Sequence, residues 1–458
     1  MKTFISMIAF VCFVVMAHAE APKFQAGDRV CFIGDSITHG GFNYHNQVVL
    51  FYATRFPQMR FDFWNCGISG DSADGANRRY GWDIAPHKPT VATIMLGMND
   101  VYRNLYAHYH SGPNIIKQRQ DAIDFCAGNL DKLAERLSKD GAKVVFITPS
   151  LYDQTGTQKG DPLFGVNDAL KACAAACGKL AVKYKGGLID FNAPMEALNK
   201  EGQAKNPAFS LIGDERVHPG PVGHLVMASL FLRAQGLAPG VAGMEIDAAR
   251  GVVLNQDNCE ISGLLAKDSS VSFDCLEKSL PFPVADDAAG ALELVPFIKD
   301  LNQETLKVSG LTAGRYEILI DSQSVLQVSA DTLAKGVNLA IIKDTPQYRQ
   351  AMEVFKLLSQ RADIVGNKLR GFAEMEHGFL GRLKNRSPES DQKAVEAKLA
   401  EMRIAKGPYS AYYIGVYESY LRNLPEQEFL TRRAAELLDE AYKTAQPKSH
   451  RYDVRPVL

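Results

Sequence analysis

Little in this chain is extreme, and each missing extreme removes a class of protein. Only 8 cysteines occur among 458 residues, too few and too scattered for the disulfide scaffold of a small secreted domain. Neither sign of charge dominates: 51 Lys and Arg face 52 Asp and Glu, a formal net charge of -1, so no global field draws the chain to nucleic acid or to an anionic membrane. No internal repeat of fixed period and no low-complexity tract is present, which sets aside solenoids and disordered tails. With 46% hydrophobic and 22% charged residues, the composition is that of an ordinary globular protein rather than a collagen or a polytopic membrane protein. The length predicts two or three domains.

The N-terminus departs from this average. Lys2 precedes an apolar run from Phe4 to Met16, and Ala17-His18-Ala19 follows before Glu20, the charge, apolar core and small-x-small ending of a signal peptide. The run is shorter than the ~20 residues of a spanning helix, so residues 1–19 are expected to be removed after Ala19, giving a secreted or periplasmic protein with no stable membrane insertion. No cysteine stands at the cleavage point, which does not suggest a lipoprotein. Cleavage also removes Cys12 and leaves seven cysteines, so at least one thiol stays free or pairs between chains. Cys173 and Cys177 lie one helical turn apart among alanines, with no matching His or Cys pair, and read as buried small residues rather than metal ligands. Cys259 and Cys275 flank two strand-like runs and are candidates for a bridge across a hairpin.

From Arg29 onward short apolar runs alternate with segments of helical periodicity, the pattern of a parallel sheet covered by helices. Candidate strands are 29–33, 60–64, 91–95, 143–148 and 187–190, and candidate helices are 115–139, 166–184 and 222–234. This places an α/β domain at residues 20–245. Between 246 and 345 β-rich stretches are punctuated by Ser-Gly, Ala-Gly and Asp-Ser turns, a small β-rich module. Residues 346–458 are expected to be a helical C-terminal region of three or four charged helices, with breaks at 386–390 and at Gly407-Pro408.

Three strand ends carry chemistry. The first runs from Val30-Cys31-Phe32-Ile33 into Gly34-Asp35-Ser36-Ile37-Thr38, placing a serine hydroxyl at the carboxyl edge of the sheet, where open α/β sheets bind ligands. A serine there is also a common helix cap. The second ends at Asn65-Cys66-Gly67-Ile68-Ser69-Gly70-Asp71, where Gly70 offers an unshielded N–H. The third ends at Leu96-Gly97-Met98-Asn99-Asp100, which offers a side-chain amide. Acyl transfer needs such donors, because the carbonyl oxygen becomes an anion in the tetrahedral intermediate. Downstream, Gly213-Asp214-Glu215-Arg216-Val217-His218-Pro219-Gly220 supplies acid and histidine in one segment, and a histidine oriented by a carboxylate can relay the serine proton.

These four ordered blocks resemble the SGNH, or GDSL-type, hydrolase superfamily over about residues 29–237. The resemblance implies a flavodoxin-like parallel sheet with helices on both faces. It also implies Ser36 as nucleophile and His218 as base. The oxyanion hole would comprise the Ser36 and Gly70 N–H groups and the Asn99 side chain, with no metal or organic cofactor. One position departs from the family, whose acid is an Asp three residues before the His. Glu215 stands there and is favoured because it keeps the register; Asp214, one residue earlier, is the alternative and would need a bulged backbone.

The expectation is an exported serine ester hydrolase whose partner is a small-molecule or glycan ester, with carbohydrate acetyl esters favoured. Lipid acyl esters or thioesters, and a non-catalytic carbohydrate-binding protein on a hydrolase scaffold, are the alternatives. His39 and His45 follow the nucleophile, and His108 and His110 follow the amide-bearing strand; most such histidines are structural. Tyr80, Trp82, Tyr102 and Tyr106 could stack on sugar, ordinary burial being the commoner fate of such residues.

Overall fold

The computed structural model describes residues 20–405 and 410–457. The expected signal peptide and the break at Gly407-Pro408 lie outside the described residues.

Five short runs form one parallel sheet: β1 (Arg29–Gly34), β2 (Asp62–Gly67), β3 (Val91–Met95), β4 (Lys143–Ile147) and β5 (Gly187–Ile189), in spatial order β2-β1-β3-β4-β5. Every residue of β3, Val-Ala-Thr-Ile-Met, is buried, the continuous run required of a strand covered on both faces. Gly34 pairs with Gly67 on one side and with Met95 on the other. β1, β2 and β3 therefore end level, and the chain leaves all three at one edge.

Helices Tyr44–Arg55, Pro113–Lys139, Val166–Lys183 and Pro221–Ala234 complete this flavodoxin-like α/β unit. Along Pro113–Lys139 the buried Cys126, Leu130, Leu133, Ala134 and Leu137 recur at helical spacing, so the period is legible in sequence. Helix Tyr44–Arg55 is buried at all 12 positions, because helix Pro346–Ala362 of the C-terminal half packs on it as well. With no solvent face it has no polar stripe to announce it. No helix among the described residues is long and apolar enough to cross a membrane.

Two further sheets follow. One has the order Val337–Asn338, Gln303–Ser309, Gly240–Asp247, Val252–Asp257. The other is antiparallel, in the order Gln323–Ser329, Arg315–Ile320, Ser449–Pro456, Ser270–Glu277, Cys259–Lys267. They share a core that includes Met244, Ile246, Phe273, Ile318 and Tyr452.

The end of the chain corrects the expectation of a helical region running to residue 458. Five described α-helices, Pro346–Ala362, Arg370–Gly378, Pro388–Ala405, Ser410–Asn423 and Gln427–Thr444, are followed by strand Ser449–Pro456 in the middle of the antiparallel sheet. His450, Tyr452 and Val454 are buried in alternation, the period of a strand. Tyr452 lies opposite Phe273 and Ile320, partners so distant in sequence that nothing local announces them. Conversely, Leu280, Phe282, Phe297 and Leu301 leave the β-rich stretch and join the core of the α/β unit. The buried Arg55 secures this crossing by donating to the carbonyls of Ala238, Gly240 and Leu301. Cys259 and Cys275, on neighbouring strands, carry free thiols, and Cys259 Sγ donates to the Gly243 carbonyl at 3.4 Å.

Glu277 and Glu304 are buried together in the β-rich part, at 3% and 0% exposure. Burial pushes both carboxyls up, Glu304 further, while Tyr452 and Gln347 donate to Glu277. A carboxyl raised by folding contributes stability below its unfolded pKa of about 4.3 and loses it as pH rises through the folded value. Glu304→Gln is therefore expected to raise the melting temperature at pH 8–9, by roughly 2–4 °C for each kcal/mol recovered, and to leave it near wild type at pH 5. Equal melting temperatures at both pH values would show that the pair carries no such penalty.

Candidate active site

The turn that carries the candidate nucleophile Ser36 is built by the two residues before it. A side chain at Gly34 would collide with Thr38 Oγ1 and approach the Met95 carbonyl, so only glycine lets the strand run this close to the turn. Asp35 caps the short helix Ser36–His39, its Oδ1 accepting from Ile37 N at 3.0 Å. Its carboxyl is pushed up to about 7 by burial, which outweighs that hydrogen bond. Ser36 thus begins a helical turn with its N–H unpartnered among the described residues.

The candidate acid and base come from the loop before helix Pro221–Ala234. His218 Nε2 accepts from Ser36 Oγ at 2.7 Å, and its Nδ1 donates to Glu215 Oε1 at 3.0 Å. The same Glu215 oxygen accepts the His218 backbone N–H at 2.8 Å. A carboxylate accepts only, so Nδ1 carries the proton and Nε2 presents its lone pair to the serine. Partial burial works to raise the Glu215 carboxyl, but the backbone N–H groups of Glu215 and His218 and the imidazole outweigh it and hold it below the usual range. Asp214 is directed elsewhere, 71% exposed and 3.7 Å from Lys159 Nζ.

Sequence inspection missed what fixes this loop. Arg216, between the acid and the histidine, is buried with φ +67°, and its guanidinium donates to the carbonyls of Asp153, Gly156, Gln158 and Gly160. It fastens the acid–base segment to the loop after β4. No local signal marks such a residue, because its partners lie more than fifty positions away.

The candidate donors follow the two strands that flank β1. Gly70 has φ +75°, a left-handed conformation that suits glycine, and its N–H has no partner among the described residues. Asn99 Nδ2 donates to the Asp71 carbonyl at 2.8 Å, and its Oδ1 accepts from Arg103 at 3.2 Å. One amide hydrogen of Asn99 remains available at the same edge as Ser36.

Beneath this edge lies a buried charge network. Asp71 accepts from Arg79 Nε at 2.7 Å and approaches His377 Nε2 at 3.2 Å, while Asp83 pairs with both Arg79 and Arg370. Burial alone would raise both carboxyls; His377 and Arg79 for Asp71, and Arg370 and Arg79 for Asp83, reverse the direction.

The other candidates separate. His39 is buried, its ring pushed down to about 3 by burial and by Arg370, and Ser69 donates to its Nδ1 from both N and Oγ at 3.0 and 2.9 Å. The 3.8 Å approach of Glu374 is therefore not an ion pair. His45 is a core residue against Phe32, neutral for the same reason of burial. His108 and His110 belong to the segment following Tyr106, where His110 is tied to the Asn104 carbonyl. Tyr80 and Tyr106 are buried, whereas Trp82 and Tyr102 are exposed, so these four aromatics do not make one platform. Cys173 and Cys177 are buried, and burial pushes the Cys177 thiol up. No group of three or more metal-ligating side chains assembles among the described residues.

Residues 32–226 match the GDSL-like lipase/acylhydrolase family. A solved structure of a gut microbial diltiazem-metabolizing enzyme matches 96% of this chain and 100% of its own, at 32% identity and a TM-score of 0.85. The chain belongs to the GDSL-like lipase/acylhydrolase family. An acetylxylan esterase of Geobacillus stearothermophilus is 26% identical over 228 residues, which are 47% of this chain and 96% of that protein. The GDSL-type esterase unit thus accounts for about half of the chain, while the likeness to the diltiazem-metabolizing enzyme extends through the β-rich and helical parts.

Proposed function

We propose that this GDSL-type esterase is exported and removes acetyl groups from carbohydrate esters, with Ser36, His218 and Glu215 as its catalytic triad. The observation that carries the reading is the relay Ser36 Oγ to His218 Nε2 to Glu215, at 2.7 and 3.0 Å. Ser36 Oγ attacks the ester carbonyl carbon as its proton passes to Nε2, and Glu215 stabilises the imidazolium. The oxyanion is met by the N–H groups of Ser36 and Gly70 and the Asn99 amide, donors already oriented before the charge develops. Collapse expels the alcohol, which takes the proton from His218 and leaves acyl-Ser36. Water then gives a proton to His218 and attacks the acyl carbon, and the acid departs as the proton returns to Ser36.

The sugar acetate assignment is supported by the acetylxylan esterase relative. A second reading, hydrolysis of a small non-polymeric ester, is favoured by the full-length likeness to a diltiazem-metabolizing enzyme. Acetate release from acetylated xylo-oligosaccharides, compared with p-nitrophenyl acetate and a long-chain p-nitrophenyl ester, separates these. The sugar reading expects kcat/KM at least about 10-fold higher on the oligosaccharide, a discrimination within reach of pocket contacts. Preference for the aryl acetate supports the second reading, and preference for the long chain overturns both. Expressed with its own N-terminus, the protein is expected outside the cytoplasm with Glu20 first; a cytosolic enzyme retaining residues 1–19 overturns the export proposal.

A further inference from the structure

The loop that carries Gly70 is held from both sides. On the α/β side, Arg79 donates to Asp71 Oδ2 at 2.7 Å and to the Gly34 carbonyl at 3.3 Å, joining the loop after β2 to the end of β1. On the other side stands helix Arg370–Gly378 of the C-terminal half. Arg370 Nε donates to the Gly67 carbonyl at 3.0 Å while its two terminal nitrogens grip Asp83 at 2.6 and 3.0 Å. Two turns further along, His377 Nε2 reaches Asp71 Oδ1 at 3.2 Å. Asp71 thus has one oxygen held by each half of the chain.

Its backbone is equally committed, since the Asp71 carbonyl accepts from Asn99 Nδ2 at 2.8 Å. Asp71 follows Gly70 directly, so one residue touches both strand-end donors. The space is tight: a side chain at Gly75 would collide with Asp71 Oδ1 and come within 3.2 Å of His377 Nε2. The residue before Gly70 is anchored in the same way. Ser69 donates to His39 Nδ1 from both its N–H and its hydroxyl, and Tyr412 of the C-terminal half donates to Glu374, which approaches the same ring at 3.8 Å.

We infer that His377 is a positioning residue for the oxyanion donors Gly70 and Asn99, so that the C-terminal helices take part in ester hydrolysis by holding the loop Gly67–Asp71. The inference rests on the reading of Gly70 and Asn99 as oxyanion donors. Its physical basis is that donors stabilise a transition state only when already aimed, and displacement of well under 1 Å weakens that state more than the bound ester. His377 should therefore act on kcat and leave KM alone. Arg370 is a poorer probe, because its loss would leave Asp83 buried with only part of its compensation.

The test uses the full-length protein and p-nitrophenyl acetate, comparing His377→Leu with His377→Gln. Leucine removes the polar contact at 3.2 Å from Asp71 Oδ1, whereas a glutamine amide can donate to the Asp71 carboxylate. The expected result is a roughly 10-fold lower kcat for H377L with KM within twofold, and recovery to within about threefold of wild type in H377Q. In the Asn99→Ala background H377L should lower kcat much less than 10-fold, since coupled residues are non-additive. An unchanged kcat in H377L, an equal loss in H377Q, a change confined to KM, or full additivity with Asn99→Ala would each overturn the inference. If Asn99→Ala itself keeps wild-type kcat, the oxyanion reading fails first and this inference falls with it. Loss in Asn99→Ala with none in H377L removes only the role of His377.

Discussion

Ser36→Ala is expected to lower kcat for ester hydrolysis by about 10⁵–10⁶, the scale seen when a triad nucleophile is removed. The geometry makes this a clean substitution. Ser36 is the first residue of its helical turn, and the cap is supplied by Asp35 through its bond to Ile37 N, so alanine keeps the turn while removing the oxygen that lies 2.7 Å from His218 Nε2. Alanine also keeps the backbone N–H, and the remaining oxyanion donors should leave about 10³–10⁴ over the uncatalysed reaction. The check is kcat on p-nitrophenyl acetate alongside thermal unfolding. More than 1% of wild-type turnover in a folded Ser36→Ala protein would move the nucleophile elsewhere.

Glu215→Gln is expected to lower kcat by about 10³–10⁴, and Asp214→Asn to leave it within twofold. Glu215 Oε1 accepts both the imidazole Nδ1–H and the His218 backbone N–H. A glutamine amide can turn its NH₂ toward Nδ1 and stabilise the tautomer in which Nε2 carries the proton and cannot accept the serine's. It also removes the negative charge that stabilises the imidazolium. Asp214 makes neither contact and is paired loosely with Lys159 at 3.7 Å. A larger loss from Asp214→Asn than from Glu215→Gln would reassign the acid. The Glu215 carboxyl is held below the usual carboxylate range by the backbone N–H groups and the imidazole, so it should not set an acidic limit on activity between pH 5 and 8.

The parts of the molecule that were legible share one property: their signal is local. β3 is a continuous buried run, Pro113–Lys139 shows its solvent face, and Gly34-Asp35-Ser36 stands where a strand becomes a helix. Helix Tyr44–Arg55 is silent because it is buried on every side. The strand Ser449–Pro456 alternates correctly but follows a long helical stretch, and the sheet it completes was laid down about 130 to 180 residues earlier. Arg216 and His377 look like ordinary polar residues in sequence; burial against carbonyls in one case, and contact with Asp71 in the other, give them their places.

By itself, then, the sequence determined the parallel sheet and the order in which hydroxyl, amides and imidazole follow its strands, because strand periodicity and turn chemistry act over a few residues, and the resemblance of its four motif blocks pointed to the family. Tertiary structure alone decided which carboxylate meets His218, how the last strand closes the β-rich part, and that the C-terminal helices grip the loop beside Gly70. Those outcomes depend on the direction in which a side chain points after distant segments have packed, and local propensity carries no information about that direction.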